Sequence, residues 1–291
     1  MPRPGLSLVG FYAEPEQALW HLRQDCVPPP DAADDAALLA RWRQAQALLG
    51  PAQPGAGMPE VLPLPDDCAA YAEELARQGW MAETMATLPG ARMALVELDR
   101  LACHQPTIAT AHAEALCAGL PGTDPAALMP LCLPLRPPPL DCTATPVGEG
   151  SSGVLLRSPR GDFSIARFGV FGGGAGVMLA GARLAVLSPF VHVVLVGGRG
   201  FLLNGYHRAF GARLAGATHL PCVVSEAPGL VEAGVVSTDP AQDYRLPPAL
   251  LTSANPPTLG HFTGGRALHV TLRRRARVVH VSWHAYTVDE E

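Results

Sequence analysis

At 291 residues, with 48% hydrophobic and 16% charged side chains, the chain can bury a substantial core in one large domain or two modest ones. Its formal net charge of −5 argues against a wholly basic nucleic-acid binder and leaves DNA contact to a local patch. All 21 Lys+Arg residues are arginine, which excludes a Walker A loop and a Schiff-base mechanism, since each needs a lysine amine.

No uninterrupted apolar run approaches the ~20 residues that span a bilayer. The opening Met1-Pro2-Arg3-Pro4 leads into a segment broken by Gly10 and Glu14, without the apolar core of a signal peptide. A cytoplasmic protein with no membrane partner is expected, and the lysine-free composition suits a GC-rich bacterial genome. The seven cysteines are scattered and form no C-x-x-C pair, so reduced buried thiols are expected rather than a zinc site.

In chain order, residues 14–24 read as a helix with Pro15 in its first turn, and the prolines at 28–30 then break the chain. Residues 31–49 carry acids early and arginines late, the order that complements a helix dipole. A Pro/Gly-rich loop at 50–65 precedes a further helix at 66–78. From Arg92 the pattern changes: 93–98 reads as a strand, and 107–117 as a helix capped by Thr107. Beyond a proline-dense connection, residues 153–156 and 163–166 read as a hairpin about the turn 159–162. Residues 191–196, a glycine turn and 201–203 read as strand, turn, strand. A helix at 206–215 with Gly216 as its C-cap and a strand at 220–224 complete a β-turn-β-α-β unit. The alternating residues of 268–272 and 278–286 read as a C-terminal β-hairpin, with 273–277 as its turn.

The expected fold class is α/β (α+β). A helical region at 1–90 precedes a mixed-sheet core at 91–228, and a β-rich extension follows at 229–291.

The stretch Asn204-Gly205-Tyr206-His207-Arg208 carries the chemistry. A strand that ends in glycine and turns into a helix aims free backbone N–H groups at the space above the strand end. His207 and Arg208 in the first turn could donate to a phosphate, the arginine in fork geometry. The same pattern also describes a plain corner whose arginine pairs with a carboxylate. The glycine run at 171–176 lacks dinucleotide-fingerprint spacing and reads as a loop or a lid. His280 and His284 share a strand face too far apart for one metal ion, and His104 and His112 near Cys103 and Cys117 match no zinc spacing. No G-x-S-x-G, H-E-x-x-H or catalytic triad is evident.

These residues carry a resemblance. Val193-Val194-Leu195-Val196, Gly198-Arg199-Gly200, Phe201-Leu202-Leu203-Asn204-Gly205-Tyr206-His207-Arg208, Leu214-Ala215-Gly216 and His219-Leu220-Pro221-Cys222-Val223-Val224 resemble the ParB/sulfiredoxin-like superfamily. Val96-Glu97-Leu98-Asp99-Arg100-Leu101 with Gln105-Pro106-Thr107 is similar to its opening strand and loop. The resemblance implies a ParB/sulfiredoxin-like core over roughly 92–226, binding ATP or CTP, with Mg2+ as an accompanying ion. Gly205, His207 and Arg208 would meet the phosphates, flanked by Asn204, Tyr206 and Gln105. It also implies slow hydrolysis or phosphoryl transfer.

Two departures bear on that chemistry. Tyr206 stands where sulfiredoxins place a catalytic cysteine, and Asn204 stands where enzymatic members have an aspartate, so no carboxylate base is supplied there. Glu97, Asp99 and Glu226 are the candidate carboxylates by position. The alternative is a non-catalytic ParB-like interaction module contacting protein, DNA or a second copy. No helix-turn-helix is evident after residue 226, and the arginines at 273–277 are the basic patch that could touch DNA.

Overall fold

The computed structural model describes residues 3–27, 34–137, 139, 141–148, 153–158, 163–170, 180–186, 189–236, 246–273 and 276–282. The turn at 159–162, the glycine run at 171–176, His284 and the arginines 274 and 275 lie outside them. The first part of the chain forms β1 (Arg3–Ser7), α1 (Pro15–Asp25), β2 (Cys26–Val27), α2 (Asp35–Leu48), β3 (Val61–Pro63), α3 (Ala69–Ala76) and α4 (Gly79–Thr87). The next forms β4 (Arg92–Glu97), β5 (Ala102–Cys103), β6 (Thr107–Ala109), α5 (Thr110–Cys117) and α6 (Pro125–Cys132). Four strands follow: β7 (Thr143–Val147), β8 (Gly153–Ser158), β9 (Phe163–Val170) and β10 (Ala180–Val186). The remainder is β11 (His192–Val196), β12 (Arg199–Asn204), α7 (Tyr206–Leu214), β13 (His219–Glu226), α8 (Pro248–Thr252), α9 (Leu259–Thr263), β14 (Leu268–Leu272) and β15 (Arg277–Ser282). Mixed helices and sheets make this an α/β chain, as expected.

Two units result, residues 1–136 with 190–273, and residues 137–189 with 274–291. The larger unit holds a six-stranded mixed sheet in the order β3-β4-β13-β11-β12-β5. β11 and β12 form an antiparallel hairpin across Gly197 and Gly198, whose φ angles of 56° and 82° fit a two-residue turn that demands glycine. The chain then crosses through α7 and returns as β13, parallel to β11. Val193 and Leu202 enter the core shared with α5, α6 and α7, while their neighbours Val194 and Phe201 enter a second core with α1, α2 and β14. The sheet is therefore buried on both faces, and each such side chain contributes roughly 1.5–3 kcal/mol. A second sheet, in the order β2-β14-β1-β6, joins the first strand of the chain to one of its last.

Three local expectations are corrected. Residues 107–109 are strand rather than the start of a helix: they pair with β1, Ile108 is buried, and α5 begins at Thr110 without a side-chain cap. The two C-terminal strands do not form a hairpin. β14 pairs with β1 and β2, whereas β15 pairs with β8 in the smaller unit. Nor does 153–158 pair with 163–170, because β8 lies between β15 and β7 and β9 pairs with β10. In the last two cases the strands are legible in the sequence, but the partner of each is set by a distant segment.

α7 ends as expected. Gly216, at φ +107°, donates its N–H to Arg213 O (3.0 Å) and Ala217 N–H reaches Ala212 O (3.0 Å), a complete Schellman pair. Among the described residues no helix is long and apolar enough to cross a membrane.

α5 and α7 approach closely at Gly211. A Cβ there would sit 2.4 Å from Cys117 Sγ and 2.6 Å from the Ala113 carbonyl oxygen. The second of these is backbone and cannot swing aside. Gly211→Ala should lower the unfolding free energy by about 1–3 kcal/mol in urea titration, as overpacking does. An unchanged midpoint would mean that the helices separate at little cost.

Candidate functional site

The chain leaves β12 for α7 through Gly205, in the left-handed region at φ +96°. A Cβ there would lie 2.7 Å from Val191 Cγ2 and 3.1 Å from Val191 Cα, so both the backbone and its neighbour require glycine. The first intrahelical bond runs from Ala209 N–H to Gly205 O (2.9 Å). The amides of Tyr206, His207 and Arg208 thus occupy the first turn, where no intrahelical acceptor exists.

The flanking side chains anchor this corner. Asn204 Nδ2 donates to Phe190 O at 3.1 Å. Tyr206 is 3% exposed, and its hydroxyl accepts the backbone N–H groups of His104 (2.9 Å) and Gln105 (3.3 Å). Tyr206 is a core residue that pins the 104–105 segment beside α7. Gln105 is brought to the corner by its backbone. Arg208 Nη1 donates to Leu131 O at 3.4 Å, which ties α7 to α6.

His207 points to α5. Its Nε2 lies 3.2 Å from the backbone nitrogen of Ala109. The amide can only donate, so Nε2 is the acceptor and the ring proton sits on Nδ1. The ring meets that of His112 edge-on, with centroids 4.8 Å apart at 69°. Burial, then the nearby His112, Arg3 and Arg208, push His207 down to about 4. His112 is lowered as well, by burial and then by Arg3. His207 lies against Ala109 and His112, and Gly211 against Ala113 and Cys117, so the two helices run side by side with their N-termini at one end.

Neither helix has an acidic residue in its first turn. Helix N-termini carry partial positive charge and ordinarily attract Asp or Glu. Here the first turns hold His112, His207 and Arg208, and Arg3 adds a further charge that is felt at both imidazoles. His207 and Arg208 are legible in the sequence, whereas His112 carries there only the look of a metal ligand and Arg3 carries no signal. Their role depends on the pairing of β1 with β6, which has no local signature.

The candidate carboxylates lie elsewhere. Asp99 holds Arg213 in a two-pronged bond of 2.7 and 2.9 Å, ~9 Å along α7 from His207. Glu97 accepts Glu60 N–H at 3.1 Å and faces Arg100, and Glu226 pairs with Arg92 at 3.1 Å. Arg273 of the expected basic turn spends its Nε on the carbonyls of Arg23 and Cys26. Among the described residues no group of three His, Cys, Asp or Glu could hold a metal ion. Burial pushes the thiols of Cys103, Cys132 and Cys222 up and keeps them protonated and inert.

A constellation invisible in the sequence does connect a serine, a histidine and an aspartate. Ser7 Oγ lies 3.0 Å from His21 Nε2, and His21 Nδ1 lies 3.0 Å from Asp25 Oδ2. Three facts exclude a hydrolytic triad. Ser7 and His21 are both 0% exposed, so no substrate carbonyl reaches the hydroxyl. The His21–Asp25 approach is not aligned as a hydrogen bond. The next amide, Leu8 N–H, which could serve an oxyanion, is bound to Pro106 O at 2.8 Å. The group ties β1 to α1.

Comparison with family models, with curated proteins and with solved structures gives no match for this chain.

Burial lowers His192, His207 and His261 from 6.5 to about 4. Between those values the unfolded chain binds protons that the folded chain does not. Stability is therefore complete above pH 6.5 and is lost as pH falls through that window. Urea unfolding measured across this range should show a falling free energy, and His207→Gln should reduce the slope. A flat profile would contradict the burial of these imidazoles.

Proposed function

We propose that the chain binds a nucleotide or a phosphorylated small molecule by its phosphate group, at the side-by-side N-termini of α5 and α7. The observation that carries this reading is the absence of acid from both first turns, where imidazoles and a guanidinium stand instead. Two adjacent positive helix ends repel each other, and a bound anion relieves that repulsion while accepting the first-turn amides. Because no lysine is available, Arg208 supplies the fixed charge.

The order β11, glycine turn, β12, α7, β13, with β11 and β13 parallel, supports a ParB/sulfiredoxin-like core, which goes with ATP or CTP and Mg2+ as ligands. A cytoplasmic location, where such ligands abound and thiols stay reduced, goes with this reading. Binding takes precedence over turnover: Asn204 is not a base, and Glu97, Asp99 and Glu226 are all engaged in ion pairs. The chain on this reading is a phosphate-ligand binder whose hydrolysis or phosphoryl transfer is slow.

Calorimetric titration with ATP and CTP, with and without Mg2+, tests the reading. Wild type should bind at least one of them, and His207→Ala with Arg208→Ala should weaken binding by about tenfold or more, as loss of charge-assisted bonds does. No binding by wild type, or equal binding by the double variant, would refute it.

A further inference from the structure

Arg3 and His112 lie outside the β12–α7 corner, yet the fold delivers both to it. β1 pairs with β6 so that Gly5 stands opposite Ala109, the residue just before α5. Continuing back from Gly5, Pro4 accepts a bond from Thr110 Oγ1 (3.3 Å) in the first turn of α5, and Arg3 follows, exposed. His112 lies in the same turn of α5, exposed, with its ring against His207.

We propose that Arg3 and His112 complete the phosphate site, and that His112, not His207, is the imidazole that takes up a proton when the anion binds. This rests on the phosphate-binding reading above and adds to it a dianion-selective, proton-coupled ligand group.

The two imidazoles are not equivalent. His207 Nε2 accepts the Ala109 amide, so a proton added there would set two N–H donors against each other and break the contact between α7 and α5. His207 therefore stays neutral and offers only its Nδ1–H. His112 has no such constraint. The ionisable groups beside it are Arg3 from β1, whose charge it feels, and His207 from α7, whose ring it touches, while Arg208 is turned to Leu131 of α6. β6 presents Thr107, Ile108 and Ala109, none of which titrates. On its own helix, Glu114 is two residues on, ~200° around the axis, and points away. In the free protein the packing of one edge of the ring away from water, and then the nearby Arg3, oppose protonation of His112, and a bound dianion would favour it. Binding must then be linked to proton uptake, and affinity must rise as pH falls.

Sulfate is the appropriate probe, because it is a tetrahedral dianion that does not itself titrate near neutral pH. Its binding to the full chain should be followed by calorimetry between about pH 8 and pH 6, where the linked imidazole changes charge. Wild type should bind severalfold more tightly at the lower pH and take up a fraction of a proton. His112→Gln should keep weaker binding but lose the pH dependence, and Arg3→Gln should lose about tenfold in affinity at either pH. Imidazole 15N spectra should show His112 gaining its second proton on sulfate addition while His207 keeps one neutral tautomer. Both replaced side chains are exposed, and circular dichroism should confirm that each variant is folded. If His112→Gln retains the wild-type pH dependence, or Arg3→Gln binds as tightly as wild type, the inference fails, although nucleotide binding through His207 and Arg208 would still stand. If wild type binds neither sulfate nor ATP nor CTP, the underlying reading fails with it.

Discussion

The approach of Gly205 to Val191 sets the geometry on which the candidate site depends. A left-handed residue turns β12 directly into α7, and the missing side chain lets Val191, at the start of the neighbouring strand, pack against it. Any other residue would meet strained backbone and a contact below 3 Å together. Once the turn is fixed, the rest follows through the spacing of the helix. Tyr206 points inward and grips the 104–105 backbone, His207 reaches Ala109, and Arg208 reaches α6. Four residues after His207, Gly211 lets α5 lie close alongside. The glycines at 205 and 211 thus do for packing what a phosphate-binding loop would ask of them for a ligand.

Electrostatics gives the same place its character. Parallel helices lying side by side pay for their aligned dipoles unless their ends are compensated. At the far end of α7 the compensation is visible: Arg213 lies in the last turn and is itself clasped by Asp99. At the near end it runs the other way, with imidazoles and guanidiniums added to ends that are already positive. An Asp or Glu at the exposed position 112 would compensate the positive end of α5. Its absence is economical to explain if an anion sits there.

Much of the local structure was legible in the sequence, and the reason is that those elements are determined by their neighbours in the chain. The β11–β12 hairpin has its paired glycines, α7 has a glycine on either side, and β13 is a short apolar run. All of these can be read within a window of a few residues. What could not be read is pairing between distant segments. Thr107 looks like a helix cap until β1 claims residues 107–109. The strands 268–272 and 277–282 look like one hairpin until each finds a different partner. The site divides along the same line. His207 and Arg208 lie within the legible stretch, whereas Arg3 and His112 become neighbours of that stretch only through the β1–β6 register. Ser7, His21 and Asp25 show the opposite hazard: the right residue types meet, but enclosure removes the chemistry that their connectivity suggests.

The absence of lysine sharpens how such a site can work. An arginine keeps its charge throughout the physiological range, so a cluster built on Arg3 and Arg208 cannot lower its own repulsion by losing protons. The adjustable groups are the imidazoles, and in the proposed site the task is divided between them. His207 is committed to the Ala109 amide, which makes it a neutral, structural donor with a fixed tautomer. His112, exposed in the next helix, is left as the group that can change charge. Fixed guanidiniums with one adjustable imidazole give attraction for a dianion that grows when the anion arrives, and a free state in which the positive ends are kept from excess charge. On the proposed reading that arrangement suits reversible capture of a phosphate better than its cleavage, which would also need a carboxylate or a metal at the corner. The carboxylates considered for that role, Glu97, Asp99 and Glu226, are held in ion pairs with Arg100, Arg213 and Arg92.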